Sequence, residues 1–459
     1  MSITDFSAFE TAFGGEVVRP GDARYDELRK VFNGMIDRRP ALIARCRDVA
    51  DVQAAVNHAC ANDLAIAVYG GGHGVTGHAV CDDGIVIDLR DLDHVVVDPA
   101  AQTARVGGGA NWGAVDAATQ AHGLAVTGGR HPTTGVAGLA LGSGSGWLER
   151  KFGLTCDSLL SCEVVLASGE VVTASEYERA DLFFGLRGGG GNFGVVTEFE
   201  FQLHPVGPIV FGGMLMHPAE RGAEVLKFFR DFIATAPDEV GAGVAFISAP
   251  HEEFVPEPVR GQPVVGVIVC YAGDPDEGAE VMRPLVEFGP PAMAMVGPVP
   301  YADAVQKLIE PGNPHGLRNY WQANFTELPD EACELFARYG NARPSPFSQA
   351  IVLPGGGAIA RVEDNAMAFG QRQAPFNVHM LHLWEDAAED AEQIAWVKEF
   401  DAAMKPWRFG GAYLNFIGDE GGGRVREAFG EEKFARLQGI KAVYDPDNRF
   451  RLNQNIPPA

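Results

Sequence analysis

Glycine-rich loops and one histidine carry the chemistry that this sequence offers. Glycine accounts for 57 of the 459 residues and clusters at 70–77, 128–146, 188–194 and 355–357. Because glycine has no Cβ, such loops let backbone N–H groups approach a pyrophosphate closely. His73 lies inside the first loop with glycine on both sides, so it has no helix or strand face on which to pack. This position favours contact with a bound ligand over a purely structural role.

The spacing of the glycines excludes two common nucleotide sites. The first loop does not have the G-x-G-x-x-G pattern of a dinucleotide-binding βαβ unit, and none of the loops ends in Lys-Ser or Lys-Thr as a P-loop does. NAD on a Rossmann fold and nucleotide hydrolysis are therefore both disfavoured.

Strands and helices in a regular order position these loops. Residues 64–69 form an apolar run that predicts a buried strand leading into the first loop, and residues 111–122 predict a helix before the second. Residues 163–166 and 171–173 predict a hairpin. Apolar and polar residues alternate over 195–203, which is typical of a half-buried strand.

A proline-containing break at 204–208 predicts a domain boundary. Beyond it, longer strands alternate with helices, which indicates an α+β region with one large sheet. We therefore predict three segments, 1–206, 207–410 and 411–459. In the last of these, a strand at 413–416 and a helix around 433–443 return the chain to the first.

The sequence resembles one known family in motifs spread along nearly the whole chain. Residues 45–206 are similar to the FAD-binding domain of berberine-bridge and hydroxynicotine-oxidase enzymes, which are vanillyl-alcohol-oxidase-like flavoproteins. The matching motifs, in family order, are DVADV at 48–52, VIDL at 86–89, GGG at 107–109, KFGL at 151–154, LRGGGGNFGVVTE at 186–198, YLNF at 413–416 and YDPDNRF at 444–450.

The resemblance implies an α+β fold with a PCMH-type FAD-binding domain and a substrate domain whose large antiparallel sheet is flanked by helices. It also implies FAD as cofactor, covalently bound through His73. The residues that it places around the flavin are Tyr69, Gly70, Gly71, Gly72, His73, Gly74, Val75, Gly77, His78, Gly129, His131, Thr133, Gly138, Gly142, Ser143, Gly146, Gly153, Val195, Val196, Asn415 and Asn453.

The second loop departs from the pattern of bicovalent relatives, which carry a cysteine bonded to the flavin. Here the motif reads Gly-Arg-His-Pro-Thr at 129–133, and His131 cannot form that thioether. The resemblance therefore implies the mono-covalent branch. His131 either hydrogen-bonds the flavin or substrate or has a structural role, and both alternatives stay open.

Two residues are candidates for taking a proton from the substrate. Tyr413, on the predicted strand 413–416, is the first, although a phenol pKa near ~10 would have to be lowered for this role. The alternative is a packed aromatic whose hydroxyl only bonds the flavin. His379, on the predicted strand 376–383, is the second. It could equally be an outward-facing histidine, or a core histidine whose ring nitrogens have hydrogen-bond partners within the protein. Tyr320 and Trp321 either line the substrate pocket or are ordinary residues of the hydrophobic core.

These residues predict an FAD-dependent oxidoreductase that oxidises an alcohol or amine group of a small molecule. Molecular oxygen is the expected electron acceptor. The alternatives are a dehydrogenase with another acceptor, a flavin-binding protein without turnover, and an NAD-linked dehydrogenase. The sequence leaves the substrate and the oligomeric state open.

Composition excludes other classes of partner. The net charge is −25 and no stripe of Lys and Arg could neutralise phosphates, so neither nucleic acid nor an anionic membrane is an expected partner. The seven cysteines are dispersed and lack C-x-x-C spacing, so we expect neither a disulfide framework nor a metal site. The first residues lack a signal-peptide pattern and no window has the length of a membrane span. We expect a cytoplasmic protein.

Overall fold

The computed structural model describes residues 6–459. The first part of the chain forms one sheet of four strands, one of five and one of two. The elements of this part are α1 (Ser7–Ala12), β1 (Glu16–Val18), α2 (Tyr25–Leu28), β2 (Leu42–Arg45), α3 (Val49–Ala61), β3 (Ile66–Tyr69), β4 (Ile85–Asp88), β5 (Val95–Asp98), β6 (Thr103–Gly107), α4 (Trp112–Gln120), β7 (Leu124–Ala125), α5 (Val136–Leu141), α6 (Glu149–Phe152), β8 (Leu159–Val165), β9 (Val171–Ser175), α7 (Ala180–Leu186), β10 (Val195–Gln202) and β11 (His204–Pro205).

The four-stranded sheet delivers the first glycine loop. Its strand order is β1-β2-β4-β3, and β3 and β2 both run parallel to β4. Helix α3 connects β2 to β3 and starts where the Asp48 side chain accepts a hydrogen bond from the backbone N–H of Asp51, an N-cap. Strand β3 then ends at Tyr69, immediately before the loop at 70–77.

The five-stranded sheet is antiparallel with the order β5-β6-β10-β8-β9. Phe199 and Phe201 of β10 are buried, while Glu198 and Glu200 between them are partly exposed. The predicted alternation in this strand is therefore confirmed, as is the hairpin of β8 and β9.

The middle of the chain forms a seven-stranded antiparallel sheet with the order β15-β12-β14-β13-β17-β18-β16. Its longer helices pack in one hydrophobic cluster with the sheet. The elements are β12 (Ile209–Pro218), α8 (Gly222–Ile233), β13 (Val240–Ser248), β14 (Pro263–Tyr271), α9 (Pro275–Val286), β15 (Met293–Pro300), β16 (Arg318–Thr326), α10 (Asp330–Asn341), β17 (Gln349–Pro354), α11 (Ala358–Arg361), β18 (Phe376–Trp384) and α12 (Asp390–Met404).

The last segment packs against the first part of the chain. It contains α13 (Gly422–Phe429) and α14 (Glu431–Tyr444), whose apolar side chains share a core cluster with the five-stranded sheet. The buried Lys441 ammonium donates to the backbone oxygen of Asn192 at 2.6 Å and pairs with Asp445 at 2.6 Å. The third glycine loop is thereby tied to the C-terminal segment. The division into segments 1–206, 207–410 and 411–459 stays a prediction.

Two predicted elements were wrong in detail. Residues 413–416 do not form a strand: the backbone N–H of Phe416 bonds to the carbonyl of Tyr413, and Leu414–Phe416 is a 3₁₀ turn. In the central region, the sequence predicts one helix over 386–404, but Asp386 caps a separate 3₁₀ turn, so α12 begins only at Asp390. Among the described residues, no helix has both the length and the apolar character needed to cross a bilayer.

Candidate active site

A cavity of about 800 Å³ lies between the glycine loops and the seven-stranded sheet. This volume is within the range of about 300–1,000 Å³ that small-molecule sites have. One side is mostly backbone of the first three glycine loops. The opposite side is mostly apolar side chains of the sheet, which are Met214, Met216, Val244, Ile247, Ile268, Ile351, Leu353 and Leu381.

The first two glycine loops touch each other through their backbones. A Cβ on Gly71 would lie 2.2 Å from the backbone N of Gly135, and no other residue than glycine fits there. By contrast, a Cβ on Gly74, Gly138 or Gly191 would meet no atom within 4 Å, and all three residues line the cavity. The loops therefore form a cradle whose peptide groups are open to a ligand.

His73 lies at the wall of this cradle in a dry, aromatic setting. Its Nε2 is 2.7 Å from Oγ1 of Thr133, and its ring stacks on Phe32 with 4.6 Å between centroids. Burial, together with the neighbouring His131 and His315 rings, holds the pKa of His73 well below its usual value. The imidazole is therefore neutral at physiological pH and has a lone pair.

His379 lies at the sheet side of the cavity. It is on β18, paired with Ile351 of β17, and its ring is 4.1 Å from that of Phe416. Its buried Nε2 has no hydrogen-bond partner among the described residues, which is also true of Nε1 of Trp321. Burial, with a contribution from the Arg130 charge, lowers the pKa of His379 to about 3. Both orphaned atoms belong to cavity walls, and such atoms normally have a partner.

Tyr413 lies behind the cavity wall and not on its surface. Its side chain is buried, and Nδ2 of Asn415 is 3.4 Å from its hydroxyl. Burial raises the pKa of Tyr413 to about 12, against opposing hydrogen bonds from Ser143 and Asn415. A phenol in this setting is a weak proton acceptor at neutral pH.

The structure brings together most of the residues predicted for the site. Those that line the cavity are Gly70, Gly71, Gly72, His73, Gly74, Val75, His78, Gly129, His131, Gly138, Gly142, Val195, Val196, His379, Asn415, Asn453 and, of the aromatic pair, Trp321. Those that do not line it are Tyr69, Gly77, Thr133, Ser143, Gly146, Gly153, Tyr320 and Tyr413. The chemical role of each stays a prediction.

Three residues at or beside the cavity were missed from the sequence: Arg130 and Phe32, which line it, and His315, which contacts the His73 ring. The sequence itself singles out Arg130, because it is the only Lys or Arg in the second glycine loop. Its guanidinium donates to Glu149 at 2.8 Å and lies over the Trp147 ring. Phe32 and His315 have no such signal, because both lie in irregular segments far from the loops in sequence.

Comparison with known proteins decides the family. A family model for an FAD binding domain matches residues 40–175, and one described as berberine and berberine like matches residues 412–457. The (R)-6-hydroxynicotine oxidase of Paenarthrobacter nicotinovorans is 32% identical over 97% of both chains. The chain belongs to this family of FAD-linked oxidoreductases.

Solved structures agree with this assignment. A crystal structure of 6-hydroxy-D-nicotine oxidase from Arthrobacter nicotinovorans superposes with a TM-score of 0.85 at 31% identity, covering 97% of this chain and 98% of the other. BBE-like 1 of Physcomitrella patens has a TM-score of 0.88 at 24% identity, covering 99% of each chain, and shows the shared fold. The predicted fold class, the enzyme class and FAD as cofactor are confirmed.

The residues present suit FAD. The open glycine cradle can take the pyrophosphate, and cavity residues carry polar atoms without partners among the described residues, which suits a ring system with alternating donors and acceptors. One such atom is Oδ1 of Asn453, which is buried without a partner among the described residues, while Nδ2 of the same side chain donates to the Gly191 carbonyl at 3.1 Å.

Proposed function

We propose that this enzyme oxidises an alcohol or amine carbon of a small, mainly apolar, ring-containing molecule, with FAD bonded to His73 and molecular oxygen as final acceptor. One observation carries the proposal. A single cavity has an open glycine cradle with a neutral histidine at one side, and an unpaired imidazole nitrogen among apolar side chains at the other.

Bound FAD supplies the acceptor for a hydride from the substrate. The protein must then hold the substrate carbon near the flavin and accept a hydrogen bond from its O–H or N–H group. The imidazole of His379 suits this task because it lines the cavity, and its Nε2 has no hydrogen-bond partner among the described residues. With its pKa lowered to about 3, the ring stays neutral and can accept a hydrogen bond throughout the physiological range.

The apolar side chains around His379 determine which class of substrate can bind there. Ile351 and Leu381 of the sheet, together with Trp321 and Phe416, lie next to His379 and form one apolar cluster. A sugar would leave several hydroxyls without partners here, and each unpaired buried hydroxyl costs about 1–3 kcal/mol. An apolar ring bearing one alcohol or amine is the better match. The related oxidase is named for 6-hydroxynicotine, which supports this class.

The proposal of a covalent link depends on His73. A neutral imidazole at the cavity wall can act as a nucleophile towards the electrophilic 8α methyl carbon of oxidised flavin. No second bond is expected, because the second loop places His131 where a thiolate would be needed. The proposal of oxygen as acceptor is supported by the relatives, which are named oxidases. We also propose a cytoplasmic location, supported by seven cysteines that are all free thiols.

The activity is tested by anaerobic flavin bleaching. The purified protein is mixed without oxygen with a panel of cyclic amines, secondary alcohols and sugars, and air is then admitted. We expect apolar cyclic amines or alcohols to bleach the flavin absorbance and air to restore it. Bleaching by sugars alone would contradict the apolar substrate class. A flavin that stays reduced in air would contradict oxygen as the acceptor.

The covalent link is tested by acid precipitation. Wild-type protein should stay yellow in the pellet, and digestion should place the flavin on the peptide containing residues 69–76. His73→Ala should release its flavin into the supernatant, whereas His131→Ala should retain its flavin, because His131 forms no bond to the cofactor. Complete release from wild-type protein would disprove the link while leaving the family assignment intact.

A further inference from the structure

The Thr133 hydroxyl lies at the centre of three imidazole rings. Its Oγ1 is 2.7 Å from Nε2 of His73, 2.9 Å from Nε2 of His315 and 3.0 Å from Nδ1 of His131. We call these four residues the Thr133 hub. His315 comes from the irregular segment before β16, so the hub joins the central part of the chain to the first two glycine loops.

The number of protons in the Thr133 hub limits which of its atoms can donate hydrogen bonds and which can accept them. A hydroxyl donates one hydrogen bond and accepts two. Burial lowers the pKa of His73, His131 and His315, so each ring is neutral at physiological pH and carries one proton. One imidazole must therefore accept the Thr133 proton, and the other two must donate to its oxygen.

The backbone carbonyl of Asn313 decides which ring accepts. It lies 3.3 Å from Nε2 of His131, and a carbonyl oxygen only accepts, so this nitrogen carries the ring's proton. Nδ1 of His131 is then the acceptor for the Thr133 hydroxyl. His73 and His315 consequently donate from Nε2.

This arrangement of hydrogen bonds leaves the lone pair of the His73 imidazole on Nδ1. The nearest hydrogen-bonding group to Nδ1 is the Thr134 hydroxyl at 3.5 Å, and Thr134 lines the cavity whereas Thr133 does not. The stacked ring of Phe32 restrains rotation of the imidazole. Nε2 is thus engaged behind the wall, and the nucleophilic atom is on the cavity side.

We propose that Thr133, supported by His315, is a positioning residue that fixes His73 as the Nε2–H tautomer, so that Nδ1 forms the bond to the flavin. This inference rests on the covalent link of the proposed function. As the C–N bond forms, the 8α carbon loses one proton, which would end on the reduced flavin ring together with the two electrons of the broken C–H bond. The Nε2 proton passes to Thr133 as that hydroxyl gives its own to His131, and molecular oxygen reoxidises the flavin, forming hydrogen peroxide.

The test follows attachment of FAD to full-length protein produced in riboflavin-starved cells. Flavin that survives acid precipitation is measured over time for wild type, Thr133→Val, Thr133→Ser and Thr119→Val. We expect Thr133→Val to slow attachment by about 10-fold or more, the effect of losing a hydrogen bond to the reacting group. Thr133→Ser keeps the hydroxyl and should restore the rate. Thr119 is the matched control, because its buried hydroxyl only bonds to carbonyls of α4.

A second measurement holds even if Thr133→Val does not bind FAD. NMR of the wild-type flavin peptide identifies the bonded nitrogen, which we expect to be Nδ1. A bond at Nε2, or attachment to Thr133→Val at the wild-type rate, would overturn the inference about the hub alone. Wild-type protein that never holds FAD covalently would instead contradict the link in the proposed function.

Discussion

His379 and Tyr413, the two candidate proton acceptors, have different surroundings. His379 lines the cavity with an unpaired Nε2, and burial lowers its pKa to about 3. Tyr413 is buried behind the wall, and burial raises its pKa to about 12. A neutral imidazole that lines the cavity can accept a hydrogen bond from a substrate there, whereas a protonated phenol behind the wall is a weak proton acceptor. The geometry therefore favours His379.

The first prediction separates these two roles. His379→Leu should lower the rate of anaerobic flavin reduction by about 10²-fold, the usual effect of removing a positioned acid–base group. Tyr413→Phe should change this rate much less. His382→Leu is the matched control, because His382 lies on the same strand but stacks on Trp396 and does not line the cavity.

Stopped-flow absorbance of the flavin gives the rates directly. If Tyr413→Phe slows reduction as much as His379→Leu does, the acceptor is Tyr413 and the structure of the working enzyme must differ around it. Equal losses in His379→Leu and His382→Leu would indicate a general packing defect of β18.

Residues of the site can be predicted from the sequence where the neighbouring residues in the chain point to their function. His73 stands between two glycines and His131 lies within the second glycine loop, so the sequence gives neither a helix or strand face on which to pack. His315 and Phe32 could not be found this way, because long-range folding alone brings them to His73. The role of Tyr413 stays a prediction, and its place behind the cavity wall could not be foreseen, because a motif gives position along the chain but not which way a turn directs its side chain.

At the scale of elements, one buried carboxyl joins α4 to the central part of the chain. Oδ2 of Asp116 accepts a hydrogen bond of 2.9 Å from Nε2 of Gln306, which follows a π-helical turn at Tyr301–Val305. The same Nε2 is 3.3 Å from the carbonyl of Gly129 in the second glycine loop. Burial raises the pKa of Asp116 to about 7, although the Gln306 hydrogen bond opposes this shift.

The second prediction is a dependence of stability on pH. An unfolded aspartate has a pKa near ~3.9, so the unfolded chain loses this proton first. Between about pH 4 and the folded value of about 7, stability should fall as pH rises, by up to ~4 kcal/mol in total. Asp116→Asn removes this effect and should raise the midpoint of urea denaturation much more at pH 8 than at pH 5.

An exposed aspartate provides the control for this measurement. Asp93→Asn removes the same charge from a solvated loop and should shift the midpoint little at either pH. A gain from Asp116→Asn that is equal at pH 5 and pH 8 would show that the folded pKa of Asp116 is not raised.

Elements with strong periodicity were predicted well, and those with ambiguous signals were not. Strand β10 alternates clearly, and the helix predicted over 111–122 is α4, which begins at an Asn111 cap. Helix α5 was missed because it lies inside the second glycine region, where Ala and Leu favour a helix but the surrounding glycines suggest a loop. In 413–416, a run of mostly aromatic and apolar residues suggests a strand, yet no strand in the described part of the chain pairs with them.

At the scale of the whole molecule, the cavity is built from all three segments of the chain. The glycine loops provide one wall, the seven-stranded sheet provides the other, and Asn415 and Asn453 come from the C-terminal segment. A ligand in this position contacts parts that are far apart in sequence, so its binding should stabilise the native chain as a unit. Composition and motifs predicted these parts, but their meeting at one cavity depends on tertiary packing.

The third prediction follows from this arrangement and from the proposed bond to His73. A ligand that binds only the native state stabilises it by RT ln(1 + [L]/Kd), which is about 2.7 kcal/mol at 100 times Kd. In His73→Ala the flavin is exchangeable, so the melting temperature should rise with added FAD. Wild-type protein carries its flavin permanently, and added FAD should leave its melting temperature unchanged. Differential scanning calorimetry over a range of FAD concentrations measures both, and an equal rise in the two proteins would mean that wild-type flavin also exchanges.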